Sequence, residues 1–383
     1  MSDTHRKPRP KPAPVRTTVR ATVRATRTAG AARDAEGPLQ PYRGWPALKA
    51  GDRVALFSPS SHQGRNPPDS LPRAREILAR WGLRPDELTP ERRHLYLAGT
   101  DAERAEEFQR LYLDPDVRAL FCARGGYGAA RILPLLDRAR IAAAPPKAVV
   151  GFSDVTSLFV WLHWAAGIAV VHGPCLAAPS ALSSPEAEGN LEALRRVLFD
   201  PRGWPGHPVR LIHRPDPAPA GSGGTAVRGS TAVRGGTAVN DGAEPGEEGA
   251  RVGRLVGGCL AVLATTLGTP WAVETRGAIL FLEDTDEAPY RVDRMLTHLR
   301  AAGRFDGLRA LVFGHLQRCD GDPPGLLEEM LRDLFRDAPF PVALGLPAGH
   351  GDRNLPLPLG RLARLDFEAR APLATAQAHL QVL

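Results

Sequence analysis

The sequence predicts an α/β protein: a parallel-sheet domain in its first half and a smaller, mixed α/β domain in its second. Two observations carry this. Apolar strand-like runs at 54–58, 117–122 and 148–150 alternate with helical segments, the pattern of a parallel sheet covered by helices. The 383 residues, 43% of them apolar, can build a sizeable core, and a chain of this length usually forms two domains.

In chain order, residues 1–41 combine Pro, Thr and Arg with a four-residue echo (VRTTVRATVRAT) and no apolar periodicity, so a disordered basic tail is expected. The N-terminal α/β domain is expected over 42–178. Val54 to Ser58 reads as a strand ending in the turn sequence SPSS, Ser70 to Trp81 and Ala102 to Leu113 as helices, and Val117 to Cys122 as a buried strand running into ARGGYG. Ala129 to Leu136 reads as a helix, and Ala148 to Val150 as a strand ending in Gly151-Phe152-Ser153-Asp154. Val155 to Val171 then gives an apolar helix and a strand. Residues 179–250 read as a linker: a helix with Ser184 at its N-cap, then a Gly-rich insert containing TAVRGS, TAVRGG and TAVNDG. In the C-terminal domain, 251–383, helices are expected over Leu260 to Leu267 and Tyr290 to Ala302. Strands are expected at Ala278 to Leu282, Ala310 to Phe313 and Val342 to Gly345.

Charge and cysteine content exclude several classes. There are 49 Lys and Arg against 42 Asp and Glu, but residues 1–36 hold nine of the basic residues and three of the acidic ones. The remainder is close to neutral, so a nucleic-acid partner is not expected from the folded part. Cys122, Cys175, Cys259 and Cys319 form no C-x-x-C pair and no zinc spacing, which suits buried thiols in a reducing compartment and no metal. The polar N-terminus lacks an apolar signal core, and the Val155 to Val171 run is short for a membrane span. A cytoplasmic protein without membrane contact is expected.

Three polar residues share one local signature. Ser153, Glu283 and, after GLPAG, His350 each follow an apolar strand-like run and can project from the end of a sheet. A serine hydroxyl is a weak nucleophile that needs a base within reach, and that base needs a third group to fix its tautomer. Ser153 would stand at a helix N-terminus, where the N–H of Asp154 suits an oxyanion; Gly126 of ARGGYG supplies a second donor. Competing readings stand beside this one. Ser153 can be an N-cap, the acidic run at 283–287 a solvated loop or metal site, and His350 a turn residue with His172 and His315 as rivals. GGYG can be a phosphate loop, although GxGxxG and GK[ST] are both missing.

Taken together, ARGGYGAARILPLLD (123–137), VVGFSDVTSLFVWLHWAAGIAVVHGP (149–174), LVGGCLAVLATTLGTPW (255–271), AILFLEDTDEAPYRVDRMLTHLRAAG (278–303) and GLPAGHGDRNLPLPLG (345–360) resemble the LD-carboxypeptidases, the muramoyltetrapeptide carboxypeptidase family. The resemblance implies a flavodoxin-like N-terminal domain, a smaller C-terminal domain and a site at their junction. It also implies a metal-independent serine peptidase without cofactor, whose triad maps to Ser153, Glu283 and His350. The implied substrate is a murein tetrapeptide, cut between meso-diaminopimelate and a terminal D-alanine during cell-wall recycling, and relatives commonly form homodimers. Arg124 and Arg291 are the charged candidates for substrate carboxylates. One departure stands out: Cys259 occupies a place where the family often has Asn. The microcin-immunity branch, which cleaves peptidyl or aminoacyl nucleotide analogues, shares the same blocks. A reading of another class makes the chain a non-catalytic binding protein tethered by its basic tail.

Overall fold

The structure is a computed structural model that describes residues 40–64, 66–87, 92–215, 249–368, 371–373 and 375–383. The basic tail and most of the Gly-rich insert lie outside the described residues, and with them the expectations attached to them.

The first half alternates as expected: β1 (Arg53–Phe57), α1 (Ser70–Arg80), β2 (Arg84–Pro85), α2 (Asp101–Leu113), β3 (Val117–Cys122), α3 (Ala129–Ile132), α4 (Arg138–Ala143), β4 (Ala148–Gly151), α5 (Thr156–Ala166) and β5 (Val170–His172). β1 pairs in parallel with β2 and β3, β3 with β4, and β4 with β5. Such strands are covered on both faces, which explains why β4 is buried along its whole length. The helix expected over 129–136 stops at Ile132 and continues as a 3-10 turn around Pro134, which has no N–H to give to a helix. α5 is buried from Thr156 to His163, because it packs against both β4's turn and the second half of the chain.

The second half contains α6 (Pro179–Leu182), α7 (Ala187–Phe199), β6 (His207–His213), β7 (Ala250–Cys259), α8 (Leu260–Thr265), β8 (Ala278–Thr285), α9 (Pro289–Ala301), β9 (Ala310–Gln317), α10 (Leu326–Leu334), β10 (Val342–Leu344), β11 (Leu357–Leu359), β12 (Leu362–Phe367) and β13 (Gln377–Val382). Seven of these strands close a barrel in the order β10-β6-β13-β12-β7-β8-β9. The mixed α/β expectation was therefore too coarse here.

Two further differences from the sequence reading matter. β6 falls inside the stretch read as linker, yet it pairs with β10 and β13 as a barrel strand. Ser184 does not cap α7: that helix begins at Ala187 with Glu186 at its N-cap, and Ser184 Oγ donates to the Asp352 carbonyl at 3.4 Å.

β11 is the element that builds the site. The chain leaves the barrel after β10, crosses through residues 345–356, and adds β11 antiparallel to the edge of the first sheet, with Leu357 opposite His172. One hydrophobic cluster accordingly unites Val54, Leu120 and Val150 with Leu255, Phe281 and Leu380 of the barrel. Among the described residues no helix is long and apolar enough to cross a membrane.

Candidate active site

The turn after β4 imposes an unusual backbone. Gly151 has no room for a side chain, since a Cβ there would lie 2.9 Å from Cys122 Cβ and 3.2 Å from Val155 Cγ1. Phe152 is extended, and Ser153 then adopts φ +64°, a left-handed conformation that costs a non-glycine residue about 1–3 kcal/mol. A 3-10 turn over Ser153–Val155 leads into α5. The sharp reversal holds the Ser153 hydroxyl at the C-terminal end of the sheet, where open α/β proteins place ligands.

His350 sits midway in the crossing between β10 and β11. Its Nε2 lies 3.1 Å from Ser153 Oγ, and its Nδ1 lies 2.7 Å from Glu283 Oε2, which also accepts from the His350 backbone N–H at 3.1 Å. The preceding Gly349 has φ +107°, and a Cβ on it would run into Glu283 Oε2. Buried amides hold this loop. Gly349 N–H donates to Asn354 Oδ1 at 2.9 Å, Asn354 N–H donates to Asn190 Oδ1 of α7 at 2.9 Å, and Asn190 Nδ2 donates to the Asp352 carbonyl at 2.8 Å.

Glu283 was expected at the end of a strand, but β8 continues to Thr285 and the residue lies within it, opposite Cys259 of β7. On the β9 side the register shifts between Leu282 and Asp284, a bulge that re-aims the intervening side chain. Burial raises the pKa of this fully buried carboxyl, but the two imidazoles beside it, His172 and the hydrogen-bonded His350, outweigh it and bring it down to about 2. Burial disfavours the His350 cation, yet the Glu283 hydrogen bond and charge prevail, so its pKa is raised above 6.5. Burial pushes the neighbouring Asp284 up to about 6; its carboxylate accepts from Ala261 N–H at the start of α8 and from Thr285 N–H.

The loops around the serine are tied by one carboxylate. Asp154 Oδ2 accepts from Ser60 Oγ at 2.6 Å and from Ala129 N–H at 2.8 Å, joining the turn after β1, the glycine loop and the Ser153 turn. Buried Arg104 of α2 adds donors to the carbonyls of Pro59 and Gly128. Gly126, at φ +108°, approaches Ser61 most closely; the glycine against the hydroxyl is Gly125, where a Cβ would lie 3.2 Å from Ser153 Oγ.

The rival histidines separate clearly. His315 bonds the Arg353 carbonyl at 2.9 Å, whereas His172 lies 3.6 Å from Glu283. Arg124 donates to the His62 carbonyl, and exposed Arg291 of α9 pairs with Glu287, just before that helix. Cys259 is buried beside Asp284, its N–H donating to Thr156 Oγ1 of α5 at 3.1 Å. Among the described residues no group of three or more His, Cys, Asp or Glu is placed to hold a metal ion. A hydroxyl, an imidazole and a buried carboxylate in this order can activate a nucleophile.

Sequence comparison identifies the framework that carries this array. Residues 54–173 match the LD-carboxypeptidase N-terminal domain, and residues 252–365 match the LD-carboxypeptidase C-terminal domain. The chain belongs to the LD-carboxypeptidase family. Within that family it is 32% identical to the murein tetrapeptide carboxypeptidase of Pseudomonas aeruginosa over 281 residues, 72% of this chain and 81% of the relative. The crystal structure of a muramoyltetrapeptide carboxypeptidase from Oxalobacter formigenes superposes with a TM-score of 0.65 at 27% identity, covering 86% of this chain and 98% of that one. The microcin C7 self-immunity protein MccF of Escherichia coli is 26% identical over 355 residues, 86% of this chain and 95% of its own. The structure of MccF in complex with aspartyl sulfamoyl adenosine superposes with a TM-score of 0.67 over 88% of this chain and 98% of that one.

The sequence alone leaves several residues that frame this array unassigned. It does not single out Ser60, Arg104, Asn190 and Asn354, and it offers His172 only as a rival base; each becomes meaningful through a partner distant in sequence.

Proposed function

We propose that this LD-carboxypeptidase family member is a serine peptidase that removes the terminal D-alanine from murein tetrapeptides. Ser153 Oγ attacks the carbonyl at the L-centre of meso-diaminopimelate, and His350 Nε2 takes the hydroxyl proton. The carbonyl π electrons move to oxygen, and the resulting oxyanion is held by backbone N–H groups of Asp154 and Gly126. On collapse the C–N bond breaks, His350 returns the proton to the leaving D-alanine amine, and an acyl ester on Ser153 remains. Water, deprotonated by the same imidazole, hydrolyses that ester and regenerates the hydroxyl. Glu283, ionised throughout, orients His350 and stabilises its cation.

The observation that supports this reading most is the continuous contact from Ser153 Oγ through His350 to Glu283, at 3.1 and 2.7 Å. The chemistry as written calls on no metal or cofactor. The reading carries with it a cytoplasmic role in recycling wall fragments and a homodimeric assembly. A second reading, cleavage of a peptidyl or aminoacyl nucleotide conjugate, is favoured by the likeness to MccF, whose TM-score of 0.67 stands beside 0.65 for the Oxalobacter enzyme.

One assay separates them. Purified protein is offered a murein tetrapeptide and, in parallel, an aspartyl-adenylate mimic with a cleavable amide. Release of D-alanine from the tetrapeptide supports the first reading; cleavage of the nucleotide conjugate alone overturns it in favour of the second.

A further inference from the structure

His172 closes β5, paired with Gly151 of β4 on one side and Leu357 of β11 on the other. It is fully buried, with the rings of Phe281 and Phe152 edge-on to it at 5.1 and 6.0 Å. Neither of its ring nitrogens has a hydrogen-bond partner, and the same holds for Glu283 Oε1. These partnerless atoms face one another: His172 Nε2 is 3.6 Å from Glu283 Oε1, a short displacement beyond a hydrogen bond. Both bonds from His350 go to the other oxygen, Oε2. Buried polar atoms are normally paired, and a neutral imidazole carries one N–H to give.

The geometry points to His172 as the second anchor of Glu283: a neutral imidazole protonated at Nε2 that donates to Oε1 and so fixes the rotation of the carboxylate, with Oε2 turned to His350. This rests on the Ser153–His350–Glu283 reading and deepens it. His172 does not reach Ser153's substrate in this role; it is a positioning residue. A donor on Oε1 draws charge away from Oε2, the oxygen that holds the His350 cation. Removing that donor makes the Glu283–His350 pair accept its first proton more readily. The other titratable groups around the pair are Asp284 on β8, Asp286 after it and Cys259 on β7.

The test compares His172→Phe, which keeps a ring among Phe152 and Phe281, with His172→Gln, whose amide can restore the donor. Expected for His172→Phe is a fall in kcat of about tenfold to a hundredfold with little change in KM, and an acid limb of kcat/KM moved to higher pH. His172→Gln recovers most of kcat and returns the limb. Wild-type kcat and an unmoved limb in His172→Phe overturn the proposal, as does a glutamine variant as impaired as the phenylalanine one. Nitrogen-15 histidine NMR of the unmodified protein gives an answer that needs no variant to fold. A neutral Nε2–H tautomer for His172 is expected, and an Nδ1–H tautomer or a cation overturns it. Ser153→Ala and Glu283→Gln run in the same assay keep two failures apart. If both are inactive while His172→Phe is normal, only the anchor falls; if Ser153→Ala retains full activity, the reading of the site itself falls.

Discussion

His350 Nε2 lies 3.1 Å from Ser153 Oγ although 197 positions separate the two residues in the chain. The contact exists because the barrel returns one strand, β11, to the edge of the first sheet, and the histidine lies on the way back. Neither half of the chain holds a hydroxyl, base and acid alone. Ser153 comes from the first sheet, Glu283 from the barrel, and His350 from the segment joining them.

The protonation of His350 sets the pH dependence. Its pKa is raised above 6.5, and only the neutral ring can accept the Ser153 proton, so kcat/KM should fall as pH drops through a midpoint above 6.5. Glu283 behaves differently. Its folded pKa of about 2 lies below its ordinary 4.5, so the stability it contributes is complete above pH 4.5 and is lost only as pH falls from there toward 2. A pH–rate profile with circular dichroism at pH 5 checks both: activity should be low there, the fold intact, and the loss reversed on return to pH 8.

Gly349→Ala should disable the site without dismantling the fold. The residue has φ +107°, and its added methyl would press on Glu283 Oε2. Moving that oxygen displaces His350, so kcat should fall at least about tenfold, as small misplacements of catalytic groups do. Steady-state kinetics beside a far-UV spectrum makes the check.

Asp154→Ala should act on stability as well as rate. It leaves two buried donors, Ser60 Oγ and Ala129 N–H, without their acceptor. About 2–4 kcal/mol of destabilisation is expected, read from urea unfolding. Asp154→Asn, which retains one acceptor oxygen of the same shape, should fall between the wild type and the alanine variant.

The sequence made Ser153, Glu283 and His350 visible because each follows an apolar run and adjoins small or turn-forming residues, and because the five blocks match a family. It could not show the side chain of Asp154 clasping two loops, since the partners lie 94 and 25 positions away. The ARGGYG pattern points to Gly126 as a donor, but it could not show that its neighbour Gly125 is the glycine whose added Cβ would meet Ser153 Oγ. The barrel was hard to foresee for physical reasons. β7 contains three glycines, which weaken a strand signal, and β11 is a three-residue strand with proline at its centre. By contrast β13 alternates exposed and buried residues along its whole length, a period of two that a closer reading of QAHLQV can find.

Ser153→Ala is the measurement that meets the central claim most directly. With Gly151, Phe152 and the loop contacts of Asp154 unchanged, the variant should retain the fold and bind a murein tetrapeptide, while D-alanine release falls by at least about a thousandfold. Release at the wild-type rate from the folded variant would contradict the account.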